Sequence, residues 1–514
     1  MLTVHERIIP GPVLRAGSSG AYRSLATAQG ERHSLRTELT GPIAPEVRAR
    51  GRALLTIGHM TDLHVTDVES PARFEFLNRF AGDSRFRELL TMQRPQEALN
   101  SHAVAAMVRA MNAIEAAPVT GSPLDLVLMT GDAIDNAQAN EFATFMTLFE
   151  GGMVNPASGG PELESVQAPS WPDDIFWKPD GGGYGGDRFR LVYGFPLVPG
   201  LLDRALRPFN SRGLRVPWLG GNGNHEDLCQ GVGVVTPDLA RAMVAGRKAI
   251  GVPEGIDAAT ALETFVTTAQ YFMGGATVAV TPDAARRPLD RVGKGRDDYY
   301  VHDGDFVRII VLDTSCRAGG ADGSLNREQL AWLEQKLIEV HASYTDESGQ
   351  SVRAANDNRL VVVALHHPLF TIRNPRQPDA VDGDTLRRLL HRFANVVLLV
   401  NGHIHMNVIQ PHANREGVGG GFWEVTTSSL VDWPCQGRVI EIFEAGGGRL
   451  AIASTMVDHD GPADPGPALS PPEMAGLHRQ LAFNDPIAGV LTTRAGTSAD
   501  RNVILALPAP FELR

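Results

Sequence analysis

Five short segments rich in histidine, aspartate and asparagine each follow an apolar run with the length of a buried strand. The segments are Asp62-Leu63-His64, Gly131-Asp132, Gly223-Asn224-His225-Glu226, His366-His367-Pro368 and Gly402-His403-Ile404-His405. Together they offer two carboxylates, one amide and several imidazoles. That set is sufficient to hold two divalent cations side by side.

Each segment alone has a simpler interpretation, because an aspartate after a strand can cap a helix and a buried histidine can serve packing. The pair His403 and His405 is the strongest single signal, since two histidines at i and i+2 beyond a strand often share a metal. If these residues had no common role, chance alone would have to place all five segments at the ends of predicted strands. The ligand set, with positions left open for water and substrate, is typical of metal-assisted phosphoester hydrolysis.

Apolar runs alternate with helical patterns over most of the chain. The runs that predict strands are 53–57, 124–129, 216–219, 307–312, 360–365, 396–400, 422–426, 439–443, 450–453 and 502–507. Between two of them, Asn326 is a good N-cap with Gln329 at the N3 position, which predicts a helix. Strands that are apolar throughout and separated by helices predict an α/β fold with sheets buried on both faces.

Composition suggests three parts of the chain. We expect residues 1–50 to be an N-terminal extension that packs on the core, 51–460 to be the main domain, and 461–514 to be a C-terminal extension. Two inserts, about 151–215 and 252–300, interrupt the main domain, and loops of this length are usually functional or linkers.

Each insert has an unusual composition. The first holds six aromatic residues between Trp171 and Tyr193, which form either a cap that stacks on a planar group or a small hydrophobic core. The second holds a basic patch that consists of Arg286, Arg287, Arg291, Lys294 and Arg296.

The five segments resemble, complete and in order, the motifs of the calcineurin-like metallophosphoesterases: D-x-H, GD, GNH[DE], a strand-end H and GHxH. The resemblance spans about residues 53 to 460. It implies an α/β fold with a four-layer α/β/β/α sandwich, long loop insertions, and a site at the carboxyl ends of the strands. The metal ligands that it implies are Asp62, His64 and His405 for one ion and Asn224, His366 and His403 for the other, with Asp132 bridging them.

The resemblance also implies roles in catalysis. Two divalent ions, expected to be Mn, Fe or Zn, would hold a bridging hydroxide that attacks phosphorus. His225 is placed to give the leaving oxygen a proton or a hydrogen bond. Asp135 is the candidate anion that orients His225, because residues 131–136 align with the GDxxDR stretch of the protein serine/threonine phosphatases. His59 and His367 are expected to be neighbours of the ligands only.

Position 136 bears on the substrate. Related phosphomonoesterases often place an arginine there, whose planar fork grips two oxygens of a dianion, and this chain has Asn136. We therefore expect Asn136 to bind substrate and favour a phosphodiesterase, with a phosphomonoesterase as the alternative if the patch near Arg286 restores the charge. A non-catalytic metal-binding scaffold is another alternative, although no ligand is missing. An amidohydrolase would typically begin with HxH rather than DxH.

The net charge of -12 disfavours nucleic acid as a partner, so we expect a small phosphorylated substrate. Cys229, Cys316 and Cys435 are an odd number without a CxxC pair, which predicts buried apolar residues. No apolar stretch approaches the ~18–20 residues of a membrane span. The first residues lack a signal-peptide pattern, and we expect a cytoplasmic protein.

Overall fold

The computed structural model describes residues 1–41, 51–89, 91–182, 185–256, 259–290, 298–414, 421–488 and 492–513. The helices within them are α1 Asn100–Asn112, α2 Ala139–Glu150, α3 Arg188–Tyr193, α4 Leu201–Ala205, α5 Pro237–Met243, α6 Ala261–Thr268, α7 Arg327–Ile338, α8 Gly383–His391 and α9 Pro471–Asn484. Short 3₁₀ helices cover Glu75–Phe80, Ser84–Leu89, Glu97–Leu99, Asn224–Glu226, Ala269–Gly274, Ala284–Arg286, Leu369–Thr371 and Thr492–Ala495.

The strands of the first half are β1 Glu6–Ala16, β2 Ala21–Gln29, β3 Ser34–Arg36, β4 Ala53–Met60, β5 Leu126–Met129, β6 Gly152–Val154, β7 Phe209–Ser211, β8 Trp218–Gly220, β9 Leu228–Cys229, β10 Gly233–Val234, β11 Arg247–Ala249 and β12 Thr277–Ala279. Those of the second half are β13 Tyr300–Asp303, β14 Val307–Val311, β15 Ser343–Thr345, β16 Ser351–Arg353, β17 Leu360–Ala364, β18 Val396–Asn401, β19 Val408–His412, β20 Phe422–Thr426, β21 Gln436–Gly446, β22 Arg449–Asp458 and β23 Val503–Pro508.

Two large sheets contain the strands that the apolar runs predicted. The first has seven strands in the order β3-β23-β22-β21-β4-β5-β8, and the second has six in the order β13-β14-β17-β18-β20-β19. The neighbours β4, β5 and β8 are parallel, and so are β14, β17, β18 and β20. The prediction of a mixed α/β fold is therefore confirmed.

The two sheets pack face to face around one apolar cluster. Ile57 and Leu128 from the first sheet meet Ile309, Val362 and Leu398 from the second, and all five are buried. Helices α1 and α2 cover the outer face of the first sheet, while α7 and α8 cover that of the second. Burial on both faces explains why these strands are apolar throughout instead of alternating.

The helix predicted after Asn326 is present as α7. The Asn326 side chain accepts a hydrogen bond from the backbone N–H of Gln329, as an N-cap should. Leu333 and Leu337 then lie one turn apart on the buried face. Local capping and periodicity therefore sufficed to place this helix.

Both terminal segments contribute strands to the first sheet. Strand β23 pairs antiparallel with β22, and β3 pairs parallel with β23. The hairpin of β1 and β2 was not predicted, and Tyr22 from β2 packs in the same apolar cluster as Leu477 and Leu481 of α9. The boundaries at residues 50 and 460 stay a prediction.

The aromatic residues of the first insert are mostly internal. Trp171, Phe176 and Trp177 are buried, and the Trp177 ring packs edge-on against Phe195. A small hydrophobic core therefore accounts for these three rings better than a stacking cap does. Tyr184 lies outside the described residues.

Arg286, the first residue of the basic patch in the second insert, was predicted to restore charge for a monoester, and the structure contradicts this. Arg286 is fully buried, where its guanidinium contacts Asp67 and Ser158. Because releasing it would leave the Asp67 carboxylate buried without that partner, Arg286 is a structural residue. Arg291, Lys294 and Arg296 lie outside the described residues, whereas Arg287 is exposed.

The three cysteines agree with their prediction, since Cys229, Cys316 and Cys435 are all buried and unpaired. Within the described part of the chain, no helix combines the length and the apolar character needed to cross a membrane.

Candidate metal centre

The predicted metal ligands lie directly after parallel strands. Asp62 and His64 follow β4, Asp132 follows β5 and Asn224 follows β8, all in the first sheet. The other three, His366, His403 and His405, follow β17 and β18 of the second sheet. Because the two sheets pack face to face, these loops meet at one edge of the core and bring the seven side chains together.

The backbone at five of these ligands is left-handed. Asp62, His64, Asp132, His403 and His405 have φ between 46° and 68°. Residues other than glycine adopt this region seldom, at a cost of about 1–3 kcal/mol each. Five such residues in one cluster are typical of a functional site whose side chains must converge on one point.

The imidazole rings of His64 and His405 direct the lone pairs of their Nε2 atoms toward each other. Nδ1 of His64 donates to Oδ1 of Asp135 at 2.9 Å, and Nδ1 of His405 donates to Oδ2 of Asp432 at 2.7 Å. Because a carboxylate only accepts, each ring keeps its proton on Nδ1. The two Nε2 atoms are 3.3 Å apart, and His405 Nε2 lies 3.2 Å from Oδ1 of Asp62. Three electron-rich atoms around one point fit a cation.

A second group of unused acceptors lies beside the first. His366 donates from Nδ1 to the carbonyl oxygen of Thr130 at 2.9 Å, which turns Nε2 toward the cluster, where this buried atom has no hydrogen-bond partner among the described residues. Asn224 donates from Nδ2 to the carbonyl of Gly231 at 2.8 Å, and its buried Oδ1 has no hydrogen-bond partner among the described residues. A buried oxygen left in this way costs about 1–3 kcal/mol, which a cation would offset. The His403 ring lies 5.1 Å from the His366 ring.

Asp132 lies between the two groups. Its Oδ2 is 3.8 Å from Nε2 of His64 and 3.1 Å from Nε2 of His366. Its Oδ1 accepts a hydrogen bond from the backbone N–H of His225 at 2.9 Å. A Cβ at position 223 would come within 2.2 Å of that oxygen, so glycine is required there. This position fits the predicted bridging carboxylate.

The pKa values of the cluster show that its buried carboxylates favour a positive charge beside them. Burial lowers the pKa of His366, but the Asp132 carboxylate outweighs burial and raises this pKa to about 9. Burial would raise the pKa of Asp132, yet His366 and His225 hold it well below its ordinary value. At His64, burial and His225 lower the pKa to about 4, so this ring stays neutral and able to bind a metal. Oxygen and imidazole donors of this kind suit divalent transition metals.

The structure corrects the predicted role of Asp135. Nδ1 of His225 donates to the backbone carbonyl oxygen of Asp135 at 2.6 Å, while the Asp135 carboxylate is 3.8 Å away. That carboxylate accepts from His64 and forms an ion pair with the buried Arg73. The prediction was wrong about the atom because the loop turns the side chain of Asp135 toward His64.

The prediction that Asn136 binds substrate is also wrong. Asn136 is fully buried, and its amide donates to the carbonyl of Ala72 at 3.0 Å and to Oε1 of Gln138 at 3.2 Å. Its Oδ1 accepts from the backbone N–H of Gln230 at 2.9 Å. The side chain is therefore engaged in holding three loop segments together.

His59 and His367 differ from the ligand histidines in that both ring nitrogens are engaged. The ring of His59 bonds Thr427 and Thr130, and that of His367 bonds Thr314 and the carbonyl of Ala321. Hydrogen bonds thus occupy both nitrogens of each ring, although His367 lies close enough to His366 and His403 to form a possible ligand group with them. That His59 and His367 are neighbours only stays a prediction.

Three functional side chains were missed by the sequence analysis. Asp432 orients His405, Arg73 neutralises Asp135, and Glu226 accepts hydrogen bonds from the backbone N–H groups of Asp132, Ala133 and Gly223. Glu226 had a visible signal, since it is the fourth residue of the GNH[DE] motif. Asp432 and Arg73 stand in loops without a motif, so nothing in the sequence marked them.

No protein family model matches this chain. A probable cyclic nucleotide phosphodiesterase from Synechococcus sp. (strain WH7803) is 33% identical over 110 residues, which are 21% of this chain and 36% of that protein. The match thus spans about a third of that relative, and the name of that relative is that of a phosphoester hydrolase, the class that the five sequence segments resemble.

One solved structure, a dimetal phosphatase from Danio rerio, aligns with 79% of this chain and 99% of its own. The sequence identity is 11% and the TM-score is 0.36. Similarity at this level supports no conclusion about the fold or the site.

Proposed function

We propose that this chain is a metal-dependent hydrolase of phosphoric esters that uses two divalent cations, Mn, Fe or Zn. The observation that carries the proposal is the set of unused lone pairs around two buried carboxylates. Nε2 of His64 and Nε2 of His405 face each other at 3.3 Å, and the buried Oδ1 of Asn224 has no donor among the described residues. Such an arrangement is unfavourable unless cations occupy it.

The donor atoms divide into two sets. We assign Asp62, His64 and His405 to one cation and Asn224, His366 and His403 to the other, with Asp132 contacting both. The distances support this division, because Asp132 Oδ2 lies near one histidine of each set. When bound, the cations would supply an activated water as nucleophile and offset the charge that builds on the phosphate.

His225 is the residue that we assign to the leaving group. Its side chain is 16% exposed, whereas the ligands around it are more deeply buried. The carbonyl of Asp135 holds the proton on Nδ1, so a protonated His225 presents Nε2–H to an oxygen in the cleft. Gly231 makes room for this nitrogen, since a Cβ there would lie 2.2 Å from it.

A small-molecule or nucleotide phosphodiester is the substrate that we favour. The probable phosphodiesterase activity of the Synechococcus relative supports it. Phosphomonoester hydrolysis is the second candidate, because Arg94 and Arg494 line the metal cleft and arginine suits a dianion. Arg94 and Arg494 would therefore supply the positive charge that is missing at Asn136 and that was expected from the patch near Arg286.

Further parts of the proposal concern architecture and location. The two facing sheets with helices on both outer faces support a four-layer α/β/β/α sandwich. We propose residues 51–460 as the catalytic domain, with 1–50 and 461–514 as extensions packed on it. A cytoplasmic location is likewise a proposal.

The first test combines metal content with hydrolysis. We expect two transition-metal ions per chain and turnover of bis(p-nitrophenyl) phosphate or p-nitrophenyl phosphate. Asp132→Ala should lose both ions, since one carboxylate serves both, and activity should fall by at least ~10³. The matched control is Asp238→Ala, which removes an exposed carboxylate that pairs with Arg241 far from the cluster.

Each outcome of this test has one meaning. A fully loaded Asp132→Ala protein would show that the bridge is misassigned. A loaded wild-type protein that hydrolyses neither ester would favour the non-catalytic scaffold. The ratio of the two activities decides between diester and monoester.

A further inference from the structure

A second cavity adjoins the metal cleft. It has a volume of about 520 Å³, against about 210 Å³ for the cleft. Thr91 and Arg494 line both spaces, so the two spaces are immediate neighbours. The larger volume lies within the range of pockets that hold small organic ligands.

The charge of the second cavity is opposite to that of the chain. Arg87, Arg188 and Arg494 line it, and its described lining includes no aspartate or glutamate, although the chain carries a net charge of -12. Within the described residues, no hydrogen bond or ion pair engages the guanidinium of Arg87 or of Arg188, and both residues are exposed. Arginine donors that face a cavity without a carboxylate suit a phosphate.

Arg494 stands at the boundary between the two spaces. It forms an ion pair with Asp432, which also accepts from Nδ1 of His405 at 2.7 Å and from Nε of Arg94 at 2.8 Å. Nε of Arg494 is buried and has no hydrogen-bond partner among the described residues. One carboxylate thus fixes a metal ligand and two arginines, and it sets Arg494 at a fixed position relative to the reacting phosphate.

The remaining wall of the cavity is partly apolar. Ile175, Phe189, Tyr193 and Ile487 line it, and the Phe189 and Tyr193 rings pack edge to face at 5.9 Å. Such a wall suits the planar or apolar body of an organic group. Phe189 and Tyr193 belong to the aromatic insert, so part of that insert borders a binding cavity even though its tryptophans are internal.

We infer that the second cavity binds the organic group of a phosphodiester substrate, a nucleotide-like group that carries a second phosphate. Arg87 and Arg188 bind this second phosphate, Arg494 lies between the two phosphates, and the planar body packs on Phe189 and Tyr193. The inference rests on the proposed function, because the scissile diester occupies the metal cleft. The structure thereby assigns substrate selection to Arg87 and Thr91, to the first insert and to the C-terminal extension.

The first experiment measures binding to the full-length protein in the presence of a chelator, so that hydrolysis plays no part. The ligands are thymidine 3′,5′-bisphosphate and thymidine 5′-monophosphate, which differ only in the 3′-phosphate. By titration calorimetry we expect the bisphosphate to bind about tenfold more tightly. Arg188→Gln and Arg87→Gln should each remove most of this difference. Arg207→Gln is the matched control, since Arg207 is exposed, pairs with Asp203 and lines neither cavity.

The second experiment uses the metal-loaded protein and two esters. These are thymidine 5′-(p-nitrophenyl phosphate) and the same ester with a 3′-phosphate. We expect KM to be about tenfold lower for the phosphorylated ester, and Arg188→Gln to raise that KM more than it raises the other. A change confined to kcat would contradict the assignment, because these arginines do not touch the scissile phosphate.

The two experiments separate the two proposals. If the metal-loaded protein hydrolyses no ester, the proposed function fails, while the binding experiment still tests the cavity. If the bisphosphate and the monophosphate bind equally, or if Arg207→Gln changes the difference as much as Arg188→Gln does, the inference is overturned whatever the activity.

Discussion

The metal cleft and the adjoining arginine cavity hold their functional side chains in different ways. In the cleft, Asp135 orients His64, Asp432 orients His405, and the carbonyl of Thr130 orients His366. In the cavity, Arg87 and Arg188 have no such partner within the described residues. Bond-making requires groups that are already in position, because their rearrangement during the reaction would add to the barrier. A binding subsite can instead adjust around its ligand.

The two regions also come from different parts of the chain. The ligands of the cleft follow parallel strands whose ends lie at one edge of the core. The cavity is lined by Arg87 and Thr91, by residues of the first insert, and by residues 486–488 and 494 of the C-terminal extension. If the proposed function holds, the reactive atoms lie at the ends of the sheets and the proposed substrate contacts lie on loops and extensions, the kind of segment that generally varies more easily.

The largest effect is expected for His225 in the cleft, the residue that we assign to the leaving group. His225→Ala should leave both metals bound but reduce turnover by ~10²–10⁴, the usual range for general acid–base assistance. An ester with an alkyl leaving group should lose more activity than an aryl ester, because an aryl oxide needs no proton. The measurements are metal content and kcat for the two types of ester.

His367→Gln is the control, since His367 lies beside the ligands with both ring nitrogens engaged. It should retain most of the activity with both esters. Equal losses for the aryl and alkyl esters in His225→Ala would show that His225 does not donate the proton.

The fold was largely predictable because its sheets are buried on both faces. Every apolar run that predicted a strand overlaps one, from β4 at Ala53–Met60 to β23 at Val503–Pro508. The hairpin of β1 and β2 was missed, since most of its residues are exposed or half-buried and β1 contains Pro10, Gly11 and Pro12. Edge contacts of this kind depend on α9, which lies more than 440 residues later in the chain.

The candidate site was predictable only where a motif fixes a turn. The sequence indicated the ligands because Asp62, Asp132 and His405 stand in short segments directly after strands. It did not indicate that the side chain of Asp135 points to His64 and not to His225, because the orientation of a loop side chain depends on the packing around it. Arg494 was beyond reach, since nothing local relates it to a carboxylate 62 residues away.

A smaller effect should separate the two regions at Asp432, which pairs both with His405 of the cleft and with Arg494, a residue that lines both spaces. Asp432→Asn and Asp135→Asn each weaken the hydrogen bond to a ligand histidine, and each should lower metal affinity by about 10–100-fold. Asp432 also pairs with Arg494, so only Asp432→Asn should raise KM for the nucleotide ester that carries a 3′-phosphate. The measurements are metal affinity by competition with a chelator and KM for both esters. Equal changes of KM in the two variants would show that Asp432 does not connect the cleft with the cavity.

The smallest effect on catalysis is expected at Asn136, which belongs to neither region. Asn136→Ala removes hydrogen bonds to Ala72, Gln138 and Gln230, and it should lower the free energy of unfolding by about 2–3 kcal/mol because buried polar groups lose their partners. The ratio of diester to monoester activity should stay within about twofold of the wild type, since the amide does not reach the cleft. Chemical denaturation and the two aryl esters measure both quantities. Asn140→Ala, which removes two partly buried hydrogen bonds, one to Asp67 and one from Gln138, is the matched control for stability. A large change in the ester ratio at unchanged stability would return Asn136 to the substrate site and would contradict its assignment as a loop-holding residue.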